Sequence, residues 1–270
     1  MKYQIDHDLH IHTYLSSCSK NPEQNTNFLL DYAKANGIKT LCITDHYWDT
    51  ASGEPSGWYS TQNFDHIAKN LPLPKRDGIK LLFGCEGDMN KDGVIGITKE
   101  RFSDFDFTVI STTHLHMKGF AIEEEDFLVA DRCSKLWVER LDTLLSADLP
   151  FHKIGIAHLA CYLINKKSDE DYLRTLDLIP AEEMHRLFEK AAKLGVGIEL
   201  NASDMSLAAK FGETVLRPFR IAKEEGCKFY LGSDAHHPSE FKGVDRDFSF
   251  ATEALALTED DKIEFLLSLK

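Results

Sequence analysis

Seven short β-rich runs recur along the chain, several of them followed by a helix-like stretch, and this alternation limits the fold more than any other feature. The runs are Tyr3–His12, Thr40–His46, Lys80–Glu86, Phe107–His114, Lys153–His158, Val196–Asn201 and Lys228–His236. Strands separated by helices pair in parallel. Seven of them predict a closed or nearly closed, TIM-like α/β barrel, with an open doubly wound sheet as the alternative. Amphipathic helices are expected over Asn27–Asn36, Ala181–Leu194 and Val215–Glu225, each stopped by a glycine (Gly37, Gly195, Gly226), and a closing helix over Glu259–Leu269. Pro180 opens the second of these, where its missing N–H costs nothing. The segment Tyr47–Lys80 breaks the rhythm and reads as a long loop with one short helix near Thr61–Asn70. It is either a lid or packing over one barrel end.

The 270 residues suit a single domain spanning 1–270. No apolar run is long enough to cross a bilayer, and Met1–Asp6 lacks the layout of a signal peptide. The six cysteines are scattered without CxxC pairs, which suggests free thiols in a reducing cytoplasm. A net charge of −13 argues against a long nucleic-acid partner, whose binding depends on phosphate neutralisation. It leaves room for a small phosphorylated substrate, which senses the local field of bound cations.

Almost every predicted strand ends in metal-binding chemistry. The ends read Asp8-Leu9-His10-Ile11-His12, Thr44-Asp45-His46, Gly84-Cys85-Glu86, Thr113-His114-Leu115-His116, Ala157-His158 and Ser233-Asp234-Ala235-His236-His237. The sixth strand, ending Glu199-Leu200-Asn201, contributes no histidine. Alternate strand residues share a face, so His10 pairs with His12 and Asp234 with His236. In parallel barrels the C-terminal strand ends meet at one mouth. A single tetrahedral zinc needs three or four protein ligands. Eight candidates exceed that, which predicts two or three divalent ions, and mixed histidine and carboxylate ligation suits zinc, manganese or iron. His7 alternates out of phase and should face away. Asp45, next to His46, points away on an ideal strand, so it is expected to orient a ligand or to donate a proton.

The ordered set Asp8-Leu9-His10-Ile11-His12, Thr44-Asp45-His46, Glu86, His114, His158 and Asp234-Ala235-His236 resembles the PHP (polymerase and histidinol phosphatase) family, nearest to its stand-alone histidinol-phosphate phosphatases. The resemblance runs from residue 8 to about 240. It implies a distorted seven-stranded β/α barrel with two or three metals held by His10, His12, His46, Glu86, His114, His158, Asp234 and His236, and with Glu86 bridging. A further ligand of that family falls on Cys18, and a thiolate there would soften the site. The family's Asn-Thr-Ser-Gly segment on strand six reads Asn201-Ala202-Ser203-Asp204 here, with the next arginine at Arg217.

The implied activity is hydrolysis of a phosphomonoester of the histidinol-phosphate type, a step of histidine biosynthesis, by a hydroxide bridging two metals. Asp45 or His236 would protonate the leaving group. Lys118, His116 and His237 are expected to touch substrate, with Arg132 and Arg217 as weaker phosphate partners. The alternatives are a nucleotide or oligonucleotide phosphoesterase, with Trp48, Trp58 and Tyr59 stacking a base, a phosphotyrosine phosphatase, and a non-catalytic metal-binding protein.

Overall fold

The computed structural model describes residues 1–269. Its strands are β1 (His7–Ile11), β2 (Thr40–Ile43), β3 (His46–Tyr47), β4 (Lys80–Asp88), β5 (Phe107–Ser111), β6 (Ile154–Ile156), β7 (Gly197–Asn201) and β8 (Lys228–Gly232). They form one parallel sheet in the order β1-β2-β4-β5-β6-β7-β8, with β3 also paired to β4. The ends approach each other: Asp234 N–H donates to the His10 carbonyl at 2.7 Å and His12 N–H to the Ala235 carbonyl at 3.1 Å. The sheet is therefore a nearly closed, seven-position α/β barrel.

The second predicted strand divides in two. At Thr44 the chain leaves the ladder, and its Oγ1 accepts the Ile11 N–H at 3.0 Å. Pairing resumes at His46, opposite Glu86. This break turns Asp45 out of an ideal alternation.

Helices α1 (Thr26–Asn36), α3 (Ala130–Ser146), α4 (Asp169–Asp177), α5 (Ala181–Leu194), α6 (Ala202–Phe211), α7 (Glu213–Glu224) and α8 (Val244–Ala254) are the main helices around the barrel, and α2 (Phe64–Ile67) is a single turn within the 47–80 segment. Gly37 and Gly195 close α1 and α5 in the left-handed conformation, at φ 70° and 72°. The expected closing helix begins as a 3-10 turn, Glu259–Asp261, and becomes α9 only over Glu264–Ser268.

Strand alternation splits the core. Ile43, Ile110, Ile156, Ile198 and Leu231 belong to the large cluster shared with the helices. Cys42, Val109, Ala157 and Tyr230 form a smaller cluster with Ile263 and Leu266 of the C-terminal segment. Gly155 and Gly197 make room for the Tyr230 ring, since a Cβ there would come within 2.4 Å and 3.0 Å of it. Among the described residues no helix is long and apolar enough to cross a membrane.

Candidate metal centre

The polar strand ends converge at one mouth, as parallel pairing requires. Three sets of ligand atoms lie within 4.8 Å of one another: His10, His12, Glu86 and Asp234; Glu86, His114 and His158; and His12, His46 and His236. All eight expected positions are present in these groups. Glu86, opposite His46 on the paired β3 and β4, is shared by two groups. Its Oε1 lies 3.1 Å from His158 Nε2 and 3.9 Å from His114 Nε2. Its Oε2 lies 2.9 Å from His46 Nδ1, 3.4 Å from His12 Nε2 and 3.5 Å from His10 Nε2.

A second layer fixes the imidazoles. His10 Nδ1 faces Glu199 Oε1 at 2.7 Å, His12 Nδ1 faces Ser16 Oγ at 2.9 Å, His158 Nδ1 faces Thr113 Oγ1 at 3.0 Å and His114 Nδ1 faces Asp88 Oδ2 at 2.9 Å. His236 Nδ1 faces the Asp234 carbonyl at 2.6 Å. Each of these partners holds the proton on Nδ1 and turns the Nε2 lone pair toward the centre.

The donor set fits divalent cations. His10 Nε2 and His12 Nε2 face each other at 3.2 Å, with Asp234 Oδ1 3.3 Å and 3.0 Å away from them. Such a buried convergence needs positive charge within it, from a bound cation or from a proton on an imidazole. Glu86 Oε2 and His46 Nδ1 are both buried and lack a hydrogen-bond partner, although they are close. Nitrogen and carboxylate donors together are zinc, manganese or iron chemistry. His158 and Asp234 hold φ of 27° and 55°, the left-handed region that side chains seldom occupy, a strain found where function fixes geometry.

The same mutual attraction moves the proton affinities. Burial opposes the charged form of His10, but Glu199, Asp234 and Glu86 outweigh it and hold His10 well above the usual histidine range. Burial works against the Glu86 carboxylate too, yet His46 and His10 keep it well below the usual carboxylate range. For His116 burial comes first and His114 adds to it, and the opposing pull of Asp88 is too weak to keep it from falling to about 3.

Several sequence expectations are corrected or narrowed. Asp45 is buried behind the ligands. Its Oδ1 accepts Thr13 N–H at 2.7 Å and Ser16 Oγ–H at 2.8 Å, and its Oδ2 accepts Thr13 Oγ–H at 2.7 Å and Asn70 Nδ2–H at 2.8 Å. A carboxylate with four donors is held as an acceptor, and Ser16 links it to His12, the arrangement of an orienting group. His237 is exposed and turned away from the cavity: Asn21 Nδ2 lies 3.0 Å from its Nε2, and its Nδ1 accepts Ser239 N–H at 3.2 Å. Cys18 lines the mouth but joins none of the three groups. Arg217 donates to the Leu176 and Ile179 carbonyls, and Arg132 pairs with Asp126, so neither faces the mouth. His7 accepts the Leu231 N–H at 3.0 Å and contributes to no group.

The cavity over the centre measures about 460 Å³. Candidate ligands form its floor, and Trp58, Tyr59, Met117, Phe120 and Leu163 contribute to its wall beside His116 and Lys118. The 47–80 segment thus both packs over the mouth and lines it. Trp48 is buried and donates its indole N–H to the Gly53 carbonyl, so it is closed to stacking. β7 contributes what histidine counting overlooks: Glu199, with Asn201 capping α6 through the Ser203 N–H at 2.9 Å.

Fold and centre define a parallel barrel with a multi-site imidazole–carboxylate cluster at its C-terminal mouth. The chain belongs to the PHP domain family, whose pattern matches residues 8–203. It is 22% identical over 238 residues to a protein of Caldicellulosiruptor bescii named a probable phosphatase, covering 87% of this chain and 82% of that one. It is 28% identical over 235 residues to a probable phosphatase of Yersinia enterocolitica, covering 85% and 78%. Its fold resembles the histidinol phosphate phosphatase of Lactococcus lactis, solved with zinc, L-histidinol and phosphate, with a TM-score of 0.65 at 17% identity over 92% of this chain and 93% of that one.

Proposed function

We propose that the protein is a metal-dependent phosphomonoesterase, with L-histidinol phosphate as the first substrate to examine. The observation that carries this reading is Glu86, whose two oxygens face different imidazole groups. Such a carboxylate can hold adjacent cations, in a family whose named relatives are phosphatases. When bound, the cations would acidify water and neutralise phosphoryl oxygens.

The chain's own residues supply the rest. His10, His12, Glu86 and Asp234 would hold one cation, and His114 and His158 would share Glu86 for another, with His46 and His236 open to a third. Lys118 is the only lysine or arginine lining the cavity among the described residues, paired at 3.2 Å with Glu124 and half-exposed. It can leave that exposed pair at little cost and turn to a phosphate oxygen. His116, half-buried at the wall and held neutral by that burial and by His114, has an unpartnered Nδ1 for the leaving alcohol. The acidic balance of the chain, −13 overall, disfavours a long nucleic-acid substrate and so favours a small monoester.

The test is phosphate release from L-histidinol phosphate, nucleotides and sugar phosphates by zinc- or manganese-loaded protein. Turnover lost in His10→Ala supports the reading. Metal uptake with no release from any ester would instead support a non-catalytic metal-binding protein.

A further inference from the structure

Trp58 stands apart from the other tryptophans. It is 39% exposed, whereas Trp48 and Trp137 are each 1% exposed. Its mounting is nevertheless fixed. The indole stands edge-on to His46, with ring centroids 4.9 Å apart at 76°, and edge-on to Tyr59, at 4.7 Å and 85°. Tyr59 is buried and its hydroxyl donates to Asp88 Oδ2 at 3.1 Å, the same oxygen that faces His114 Nδ1. The indole is therefore anchored to the metal-site scaffold while part of its surface stays open to the cavity. Phe120 is anchored likewise, against Trp48 at 5.0 Å and Tyr59 at 5.7 Å. Met117 and Leu163 extend the apolar wall.

The charges of the cavity narrow its occupant further. Among the described residues, apart from the candidate ligands and their neighbour His116, Lys118 is the lining's one cationic side chain, and the only carboxylates there are Glu86 and Asp234. An ammonium on the leaving alcohol would find no carboxylate in the lining besides these candidate ligands, and Glu124, the partner of Lys118, lies outside the lining and is 73% exposed, where solvent screens it. A polyhydroxylated leaving group would lose water without enough polar partners along this wall. An aromatic ring loses nothing by entering it and gains stacking on a preorganised indole.

We propose that this wall selects phosphate monoesters whose leaving alcohol ends in an aromatic ring, with Trp58 as the ring's stacking partner. This rests on the phosphatase reading above. The imidazole of histidinol phosphate belongs to the class, and on this account the cavity recognises its ring and ignores its ammonium.

The experiment compares kcat/KM for 3-phenylpropyl phosphate and propyl phosphate with the manganese-loaded protein. The two leaving alkoxides have closely similar basicity, so the difference reads binding of the ring. The expected preference for the phenyl ester is roughly tenfold or more, mostly in KM, as stacking on an indole supplies. Trp58→Ala should reduce that ratio to about threefold or less, and Trp58→Phe should retain most of it. Met117→Ala, another apolar residue of the lining, should also reduce it, and keeps the test decisive if Trp58→Ala proves misfolded by circular dichroism. L-histidinol phosphate and its deaminated analogue should be hydrolysed within about threefold of each other, because the lining offers the ammonium no carboxylate besides the candidate ligands. Equal use of phenylpropyl and propyl esters by the wild type, or an undiminished preference in folded Trp58→Ala, overturns the proposal while leaving the phosphatase reading intact. Absence of phosphate release from every ester overturns both.

Discussion

The carboxylate of Glu199 joins two candidate metal groups from behind: its Oε1 faces His10 Nδ1 at 2.7 Å and its Oε2 accepts the His158 N–H at 2.6 Å. His10 belongs to one group and His158 to another, so a single buried side chain orients both. Glu199→Gln keeps the shape but removes the charge that holds the Nδ1 proton of His10. Metal affinity, measured by competition with a chelator, should fall roughly 10- to 100-fold, as for other partners of ligating histidines. An unchanged affinity would show that Glu199 only fills space.

Gly232 leaves room for that arrangement. A Cβ on it would lie 1.9 Å from Glu199 Oε1 and 2.7 Å from His10 Cβ. Both neighbours are buried and held, so neither can yield freely. Gly232→Ala should lower stability by about 1–3 kcal/mol, as overpacking does. Thermal unfolding of the metal-free protein measures this directly, and metal retention should fall in parallel.

Asp45 offers a sharp distinction between positioning and proton donation. A proton donor matters most when the leaving group is a poor one. Asp45→Asn should therefore slow p-nitrophenyl phosphate and propyl phosphate by similar factors, since the damage passes through Ser16 and His12. A loss far larger for the propyl ester would restore the proton-donor role.

Stability should decline with acid through a cluster away from the mouth. Asp6 faces His7 Nδ1 at 3.1 Å and Lys262 Nζ at 3.0 Å. Burial keeps His7 below the usual histidine range, and its Nε2 must stay unprotonated to accept the Leu231 N–H. Burial opposes the Asp6 charge, but its partners His7 and Lys262 hold its carboxyl below the usual range. For His7 the unfolded chain binds the proton more readily, so its contribution is present above about pH 6.5 and is lost below it. The Asp6 contribution is lost at lower pH, below about 4, as the carboxylate protonates. Between pH 7.5 and 5.5 the melting temperature of the wild type should fall more steeply than that of His7→Gln. Equal slopes would contradict the assignment.

Much of this centre was legible because strand ends carry their chemistry locally. His10-x-His12, Glu86 and Asp234-x-His236 mark themselves by residue type and position within β-rich runs, and parallel pairing brings such ends together. The supporting layer was not legible. Glu199 meets His10 across 189 positions and Asp88 meets His114 across 26, and neither contact follows from alternation without the register. Strand ends were also misplaced: β4 runs on to Asp88, two residues past the expected Glu86, whereas β1, β5 and β6 stop short of His12, His114 and His158. Asp45 was half legible: an orienting role was one of the two expected of it, but its four donors come from Thr13, Ser16 and Asn70, which only the fold brings to it.

The central claim is that Glu86 sits between cations, and metal content per chain tests it most directly. After reconstitution with zinc and removal of loosely bound ions, elemental analysis of the wild type should find two or three ions per chain, and Glu86→Gln should retain fewer than one. A wild type that holds a single ion, or a Glu86→Gln variant that keeps the full complement, would contradict the account.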